Sequence, residues 1–407
     1  MKNFIQYTPT EIVFGKDTES LTGEEVHKWG GSRVLIVYGG GSVVKSGLLK
    51  RVEDTLVEEG IVYMEFGGAR PNPLMGHAVK GVSEAIEFEA DFILAVGGGS
   101  AIDTAKAIAH GAANPEASLE DIWSGAFPLK KSLPIGVVLT IAAAGSETSD
   151  SAVLTNEHTG RKKGISTDLN RPQFAIMNPE LTYTLPKYQL ACGIVDIMMH
   201  TLERYFTPVE GNQLTDRIAE ALLKTVIENG EKAMENPSDY DSMSELMWSG
   251  SLSHNGLTGL GSKRMFVVHK FGHELSAEYD VAHGASLSAV WEAWARYVML
   301  AKPERFAQYA RNVWDIKEED DVDAAIEGIE RTSAYFKSLG MPTRLYELVP
   351  PNTDEALGVL PDETLKLLAD RTTAGGTIQI PGLQTLEEND VYEIFRLANK
   401  ERESEEE

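Results

Sequence analysis

The sequence predicts an α/β fold, with a Rossmann-like parallel-sheet domain over residues 1–185 followed by an all-helical domain over 186–407. Three observations carry that prediction. The first half alternates short β-branched runs with helically periodic segments; strand-like runs stop near LTYTLP at 181–186; and helical periodicity alone continues beyond. A chain of 407 residues with 42% hydrophobic content is also too long for one ordinary core.

Taken in order, EIVF in the opening FIQYTPTEIVFG reads as an N-terminal strand. VLIVY at 34–38, VYMEF at 62–66, FILAV at 92–96 and IGVVLT at 135–140 are the further candidate strands. SGLLKRVEDTLVEEG and GHAVKGVSEAIEFEA between them repeat apolar residues at three and four and read as helices. In the second half TDRIAEALLKTVIENGEKAM and PERFAQYARNVWDI keep that period. Pro186 suits the start of the first helix there, where its missing amide hydrogen costs little.

Composition narrows the function. With 37 basic against 62 acidic residues the formal charge is −25, which repels nucleic acid and anionic membranes. The acidic runs EEDDVDAAIEGIE and ERESEEE read as a solvated helix face and a frayed tail. No stretch reaches eighteen uninterrupted apolar residues and the N-terminus lacks signal-peptide character, so a cytoplasmic location is expected. Cys192 is the only cysteine; it cannot form an intrachain disulfide or a thiolate-rich zinc site, and it suits a reducing compartment.

Two glycine turns follow predicted strands, VLIVYGGGSVVKSG with Gly39, Gly40 and Ser42, and ILAVGGGSAIDTAK with Gly98, Gly99 and Ser100. Glycine lets a phosphate approach the backbone, and a following helix N-terminus offers free amide donors. Neither turn is GxGxxG, and one such turn alone is as easily a plain tight turn. Asp103 is either a cofactor contact or a first-turn acid complementing the helix dipole. The hydroxyl-rich LTIAAAGSETSDSAVLTNE suits a loop, with Thr140, Ser146 and Ser149 as candidate hydrogen-bonding groups for a sugar or an amide.

The middle of the chain carries metal-binding residue types. Asp196 and His200 lie four apart, as do His269 and His273, so each pair should share a helix face; His283 follows closely. Of nine histidines, three fall between 269 and 283, against a scattered surface origin. One carboxylate and several imidazoles suit divalent iron or zinc, and spacing does not choose between them. His110 and His254 read instead as satisfied core histidines.

Together FIQYTPTEIVFG, the PNP at 71–73, GGGSAIDTAKAIA, GSETS, GIVDIMMHTLE and HKFGHELSAEYDVAHGA make the chain resemble the iron-containing, group III alcohol dehydrogenase family, almost end to end. The nearest likeness is to its butanol dehydrogenase and NADPH-dependent aldehyde reductase branch. The resemblance implies a dehydroquinate synthase-like architecture, with a divalent metal, Fe(II) or Zn(II), ligated by Asp196, His200, His269 and His283. It implies that His273 lies by the nicotinamide and substrate as a catalytic group, not on the metal. It also implies that Gly98, Gly99 and Ser100 hold the pyrophosphate, with Asn72, Asp103, Thr140 and Lys162 nearby. Arg161 and Lys163 flank Lys162, so a one-residue shift would change that assignment.

NAD-preferring relatives end the first strand with an acidic residue, whereas this chain has Gly39, which removes a barrier to the extra phosphate of NADP. Ser42 and Lys45 are placed to bind that phosphate, and NADP(H) is expected over NAD(H). The implied reaction interconverts primary alcohols and aldehydes by hydride transfer, the metal acting as a Lewis acid on the substrate oxygen. Substrate contacts are expected from 248–264, including Trp248, Leu252, Asn255 and Leu257, and a homodimer from the resemblance. A polyol dehydrogenase, a cyclising lyase, or a protein that binds metal or nucleotide without turnover are the competing readings. The mostly apolar flank Met265, Phe266, Val267 and Phe271 argues against a lyase acting on a phosphorylated substrate.

Overall fold

The computed structural model describes residues 2–208, 212–262 and 265–401. Its strands are β1 (Glu11–Phe14), β2 (Arg33–Tyr38), β3 (Val62–Phe66), β4 (Phe92–Gly97), β5 (Ile135–Leu139), β6 (Ser151–Asn156), β7 (Arg161–Ser166) and β8 (Phe174–Met177). Six of them form one parallel sheet in the order β1-β8-β5-β4-β2-β3, while β6 and β7 make a separate antiparallel ribbon.

All six residues of β4 and all five of β5 are buried, which explains why these strands read as continuous apolar runs without alternation. Val34, Ile36, Leu94, Val96, Val138 and Ile176 from four neighbouring strands join Val52 and Leu56 of helix Leu48–Glu58 in one core cluster. The chain runs from β2 outward to β3 and then crosses to β4 on the other side of β2. The connections therefore reverse direction between β2 and β4. In an open parallel sheet that reversal leaves a crevice at the carboxyl ends of the two strands.

The four strands expected between 34 and 140 are present within a residue or two. Two features were not legible. β8 is only FAIM, too short for a pattern, yet it lies inside the sheet between β1 and β5. The hydroxyl-rich segment, expected to be a loop, supplies β6 in its second part.

The chain divides into two compact units, residues 7–185 with 236–255, and residues 1–6 with 186–235 and 256–407. Every named strand lies in the first. The second is helical among its described residues, beginning with helix Lys187–Tyr205, for which Pro186 is the N-cap. Helix Tyr240–His254 groups with the sheet, with Thr148 Oγ1 donating to Ser251 O at 3.2 Å. The acidic run at 318–330 opens helix Asp321–Ser338, and its Asp320 caps the N–H groups of Val322 and Asp323. Of the terminal ERESEEE only Glu401 lies within the described residues.

Candidate functional site

Helix Lys187–Tyr205 is buried continuously from Leu190 to Tyr205 and carries Asp196 and His200 one turn apart. Helix Val267–Tyr279 carries His269 and His273, and Asp280, in a left-handed conformation, ends it and turns the chain so that His283 begins helix His283–Val298. Glycines bring these helices together. A Cβ on Gly284 would lie 2.2 Å from the carbonyl oxygen of Cys192, and one on Gly272 would lie 2.8 Å from Ser286 Oγ. Both contacts sit beside candidate ligands.

Three imidazoles converge on one carboxylate oxygen. Asp196 Oδ1 lies 3.5 Å from His200 Nδ1, 3.5 Å from His269 Nε2 and 3.9 Å from His283 Nε2. Ligand atoms about 2.1 Å from a tetrahedral ion stand about 3.4 Å apart, so the donor set fits a divalent cation. Asp196 Oδ1 and His269 Nε2 are buried and make no hydrogen bond, which is costly for groups in a protein interior. Ligand atoms of Asp196, His200 and His269 all lie within 4.8 Å of one another. His283 stands slightly further out with its side chain 26% exposed. His273 is half-buried, its ring 5.5 Å from that of His283 and 6.4 Å from that of His269.

Sequence reasoning missed Glu203. It lies one turn beyond His200, is buried, and accepts from His269 Nδ1, from Val268 N at 2.6 Å and from His269 N at 3.3 Å. The bond to Nδ1 fixes the tautomer that offers Nε2 to a cation. The two backbone bonds put a carboxylate at the positive N-terminus of helix Val267–Tyr279. Its position three after His200 was the only available signal, and it does not reveal a partner 66 residues away.

The cluster polarises its imidazoles in opposite directions. Burial, reinforced by His269 and Arg204, holds His200 well below its ordinary pKa. Burial also opposes charge on His269, but the Glu203 and Asp196 carboxylates outweigh it and lift His269 to about 9.

In the sheet-bearing unit, the candidate cofactor residues Gly39, Gly40, Ser42, Asn72, Gly98, Gly99, Ser100 and Thr140 all follow carboxyl ends of parallel strands. The two glycine turns follow β2 and β4, which are neighbours and flank the reversal. Gly41, with φ 102°, precedes the short helix Ser42–Lys45, and Ser42 and Lys45 are exposed. Gly98 is the N-cap of helix Gly99–Ala113; a Cβ there would lie 2.3 Å from Ile141 Cγ2, while one on Gly40 would meet nothing within 4 Å. Asn72, in a left-handed conformation with φ 52°, accepts from Lys162 Nζ at 3.0 Å. Lys162 is half-buried on β7 while Arg161 and Lys163 are exposed, so strand alternation distinguishes it from its basic neighbours.

Asp103 and Ser149 are engaged internally. Asp103 lies beyond the first turn of its helix, which removes the dipole reading, and both its carboxylate oxygens accept hydrogen bonds from the protein. Ser149 is wholly buried and its Oγ accepts from Ser151 N at 3.2 Å. His110 bonds Ser132 Oγ at 2.8 Å and Asn170 Oδ1 at 2.7 Å, as a satisfied core histidine should. Trp248 is 41% exposed, and Leu252, Asn255 and Leu257 are half-buried.

Residues 9–179 match the family model described as iron-containing alcohol dehydrogenase, and 190–398 match its C-terminal counterpart, the Fe-containing alcohol dehydrogenase family, C-terminal. The chain is 41% identical to NADH-dependent butanol dehydrogenase A of Clostridium acetobutylicum, covering 97% of this chain and 99% of that one. It is 39% identical to the NADPH-dependent aldehyde reductase YqhD of Escherichia coli, over 85% of this chain and 89% of the other. The crystal structure of an NADH-dependent butanol dehydrogenase A from Thermotoga maritima superimposes with a TM-score of 0.91 at 35% identity, covering 98% and 99% of the two chains.

Proposed function

The chain belongs to the iron-containing alcohol dehydrogenase family, and on that premise we propose that it interconverts primary alcohols and aldehydes by hydride transfer with a nicotinamide cofactor. The observation that carries this reading is the convergence of three imidazole nitrogens on Asp196 Oδ1 at 3.5, 3.5 and 3.9 Å. Asp196, His200, His269 and His283 would hold a divalent ion, iron or zinc. Such an ion supplies Lewis acidity, favouring loss of the alcohol proton and polarising a carbonyl.

The chain's own residues do the rest. Glu203 orients His269, and burial of the cluster limits competition from water for the same donors. His273, beside His283 yet half-exposed, relays the hydroxyl proton towards solvent. Gly98, Gly99 and Ser100 give the pyrophosphate a helix N-terminus, and the Gly39–Ser42 turn receives the adenosine end.

The relatives above divide on cofactor, NADH for the two butanol dehydrogenases and NADPH for the aldehyde reductase, so the choice is read from this chain's own strand end. No carboxylate stands at residue 39, and Ser42 and Lys45 are exposed beside it, which supports NADP(H) over NAD(H). A cytoplasmic homodimer completes the reading: no helix among the described residues is long and apolar enough to cross a membrane, and β1 is an edge strand of the sheet.

The test follows NADPH absorbance with butanal, before chelation, after it, and after restoring Fe(II) or Zn(II). Turnover lost on chelation and regained with metal is expected. Absence of metal-dependent turnover with any short aldehyde would overturn the reading.

A further inference from the structure

Helix Gly99–Ala113 carries a fully buried lysine. The ammonium of Lys106 donates to Ser146 O at 2.7 Å, Ser151 O at 2.7 Å and Ser146 Oγ at 2.9 Å, with Ser149 O at 3.4 Å. An ammonium has three hydrogens, and three short partners use them all. Ser146 Oγ in turn donates to Asp103 Oδ1 at 2.7 Å, while Asp103 Oδ2 accepts from Val153 N at 2.9 Å. Lys106, Ser146 and Asp103 thus form a directional relay in which each donor proton has one acceptor. The ammonium has no hydrogen left for a ligand, and each Asp103 oxygen is already held by a protein donor.

The segment so held is the wall of the second glycine turn. Thr140 N donates to Gly97 O at 3.1 Å. A Cβ on Gly98 would run into Ile141 Cγ2, and one on Gly99 would lie 3.4 Å from Ala144 Cβ. Carbonyl groups of residues 146, 149 and 151 turn towards a single point, an arrangement that repels itself unless a cation sits at the centre. Burial pulls the Lys106 ammonium down to about 8, against the pull of the Asp103, Glu147 and Asp150 carboxylates and with the help of Arg171.

We propose that Asp103 and Lys106 are positioning residues for the nicotinamide cofactor, which they influence only by fixing the loop 141–151, and that neither touches it. This rests on the nicotinamide reading above. It changes the expected behaviour of variants: the loop should loosen in the protein without cofactor, which loss of a direct contact would not cause.

The experiment measures amide hydrogen exchange across 141–153 in the full-length protein without cofactor, together with NADPH affinity by fluorescence titration. The variants are Lys106→Met, Asp103→Asn and Ser146→Ala, with bound metal measured in each. Exchange in 141–153 should rise and NADPH affinity fall together, by about tenfold or more for Lys106→Met and Asp103→Asn and less for Ser146→Ala, with metal content unchanged. Weaker NADPH binding with unchanged exchange makes these residues direct contacts and overturns the proposal, as does no change in either. If Lys106→Met does not fold, Ser146→Ala, which removes only the hydroxyl between the two charged groups, decides by the same pair of readouts. A parent protein that binds neither NADPH nor NADH defeats the nicotinamide reading itself, and this proposal with it.

Discussion

Around Asp196, side chains point nitrogen and oxygen atoms at one another, and two of those atoms make no hydrogen bond. Around Gly98, by contrast, the charged side chains of Asp103 and Lys106 are already engaged by the protein, and the turn itself is half-buried glycine and backbone. The first arrangement suits a small cation, which needs side-chain donors at fixed separations. The second suits a phosphate, which needs backbone N–H groups and close approach. The difference teaches where each site is vulnerable. One is broken by removing a ligand atom, the other by disturbing what holds the backbone in place.

The sharpest break in that contrast is His283→Ala. It should abolish metal retention, measured by metal analysis after anaerobic purification, whereas His273→Ala should lower turnover with the metal retained. Equal metal loss in both variants would make His273 a ligand.

A smaller effect belongs to the sheet-bearing unit. Burial holds His110 at about 4 against its ordinary 6.5, an effect that its bond to Asn170 opposes and Lys106 reinforces. The unfolded chain therefore takes up a proton below pH 6.5 while the folded one does not until about 4. Stability from this group is constant above 6.5 and falls as pH drops to about 4, by about 3 kcal/mol. Urea unfolding of this helix, followed by exchange at pH 7 and 4.5, should show that loss, and His110→Gln should flatten it. An unchanged slope in the variant would assign the pH dependence elsewhere.

Glu203→Gln comes next. It keeps an acceptor for His269 but loses the charge, and metal affinity measured against a competing chelator should fall by about 10- to 100-fold. Parent-like affinity would reduce Glu203 to a helix cap. The smallest effect expected is in cofactor choice: Gly39→Asp should shift the NADPH-to-NADH preference by about tenfold towards NADH. A Cβ at residue 39 would lie 3.1 Å from Ala69 O, so Gly39→Ala is the control for crowding without charge. An identical shift in both would remove the electrostatic argument.

The same contrast governs what could be read from the sequence. Strands β2, β4 and β5 were legible because buried parallel strands are nearly unbroken apolar runs. The pairs Asp196 with His200 and His269 with His273 were legible because helical spacing is local. Glu203 was not, since its meaning comes from a partner brought in by tertiary packing. The internal bonds of Asp103 were not legible either, since its sequence neighbours are a glycine turn while its hydrogen-bond partners lie 43 and 50 residues away. The half-buried place of Lys162 among three basic residues needed strand register, which no single sequence supplies.

Gly284 has a consequence for the choice of ion. Main chain rests on main chain where it meets Cys192, immediately beside His283 and one turn before Asp196. The two helices have no side-chain cushion there to compress or refill, so the gap between their ligands acts as a fixed gauge. On the proposed ligand set, an ion of different radius would be accommodated between Asp196 and His283 by rotation of the carboxylate and the imidazole. Repacking the surrounding core with larger or smaller apolar residues leaves that gauge where it is.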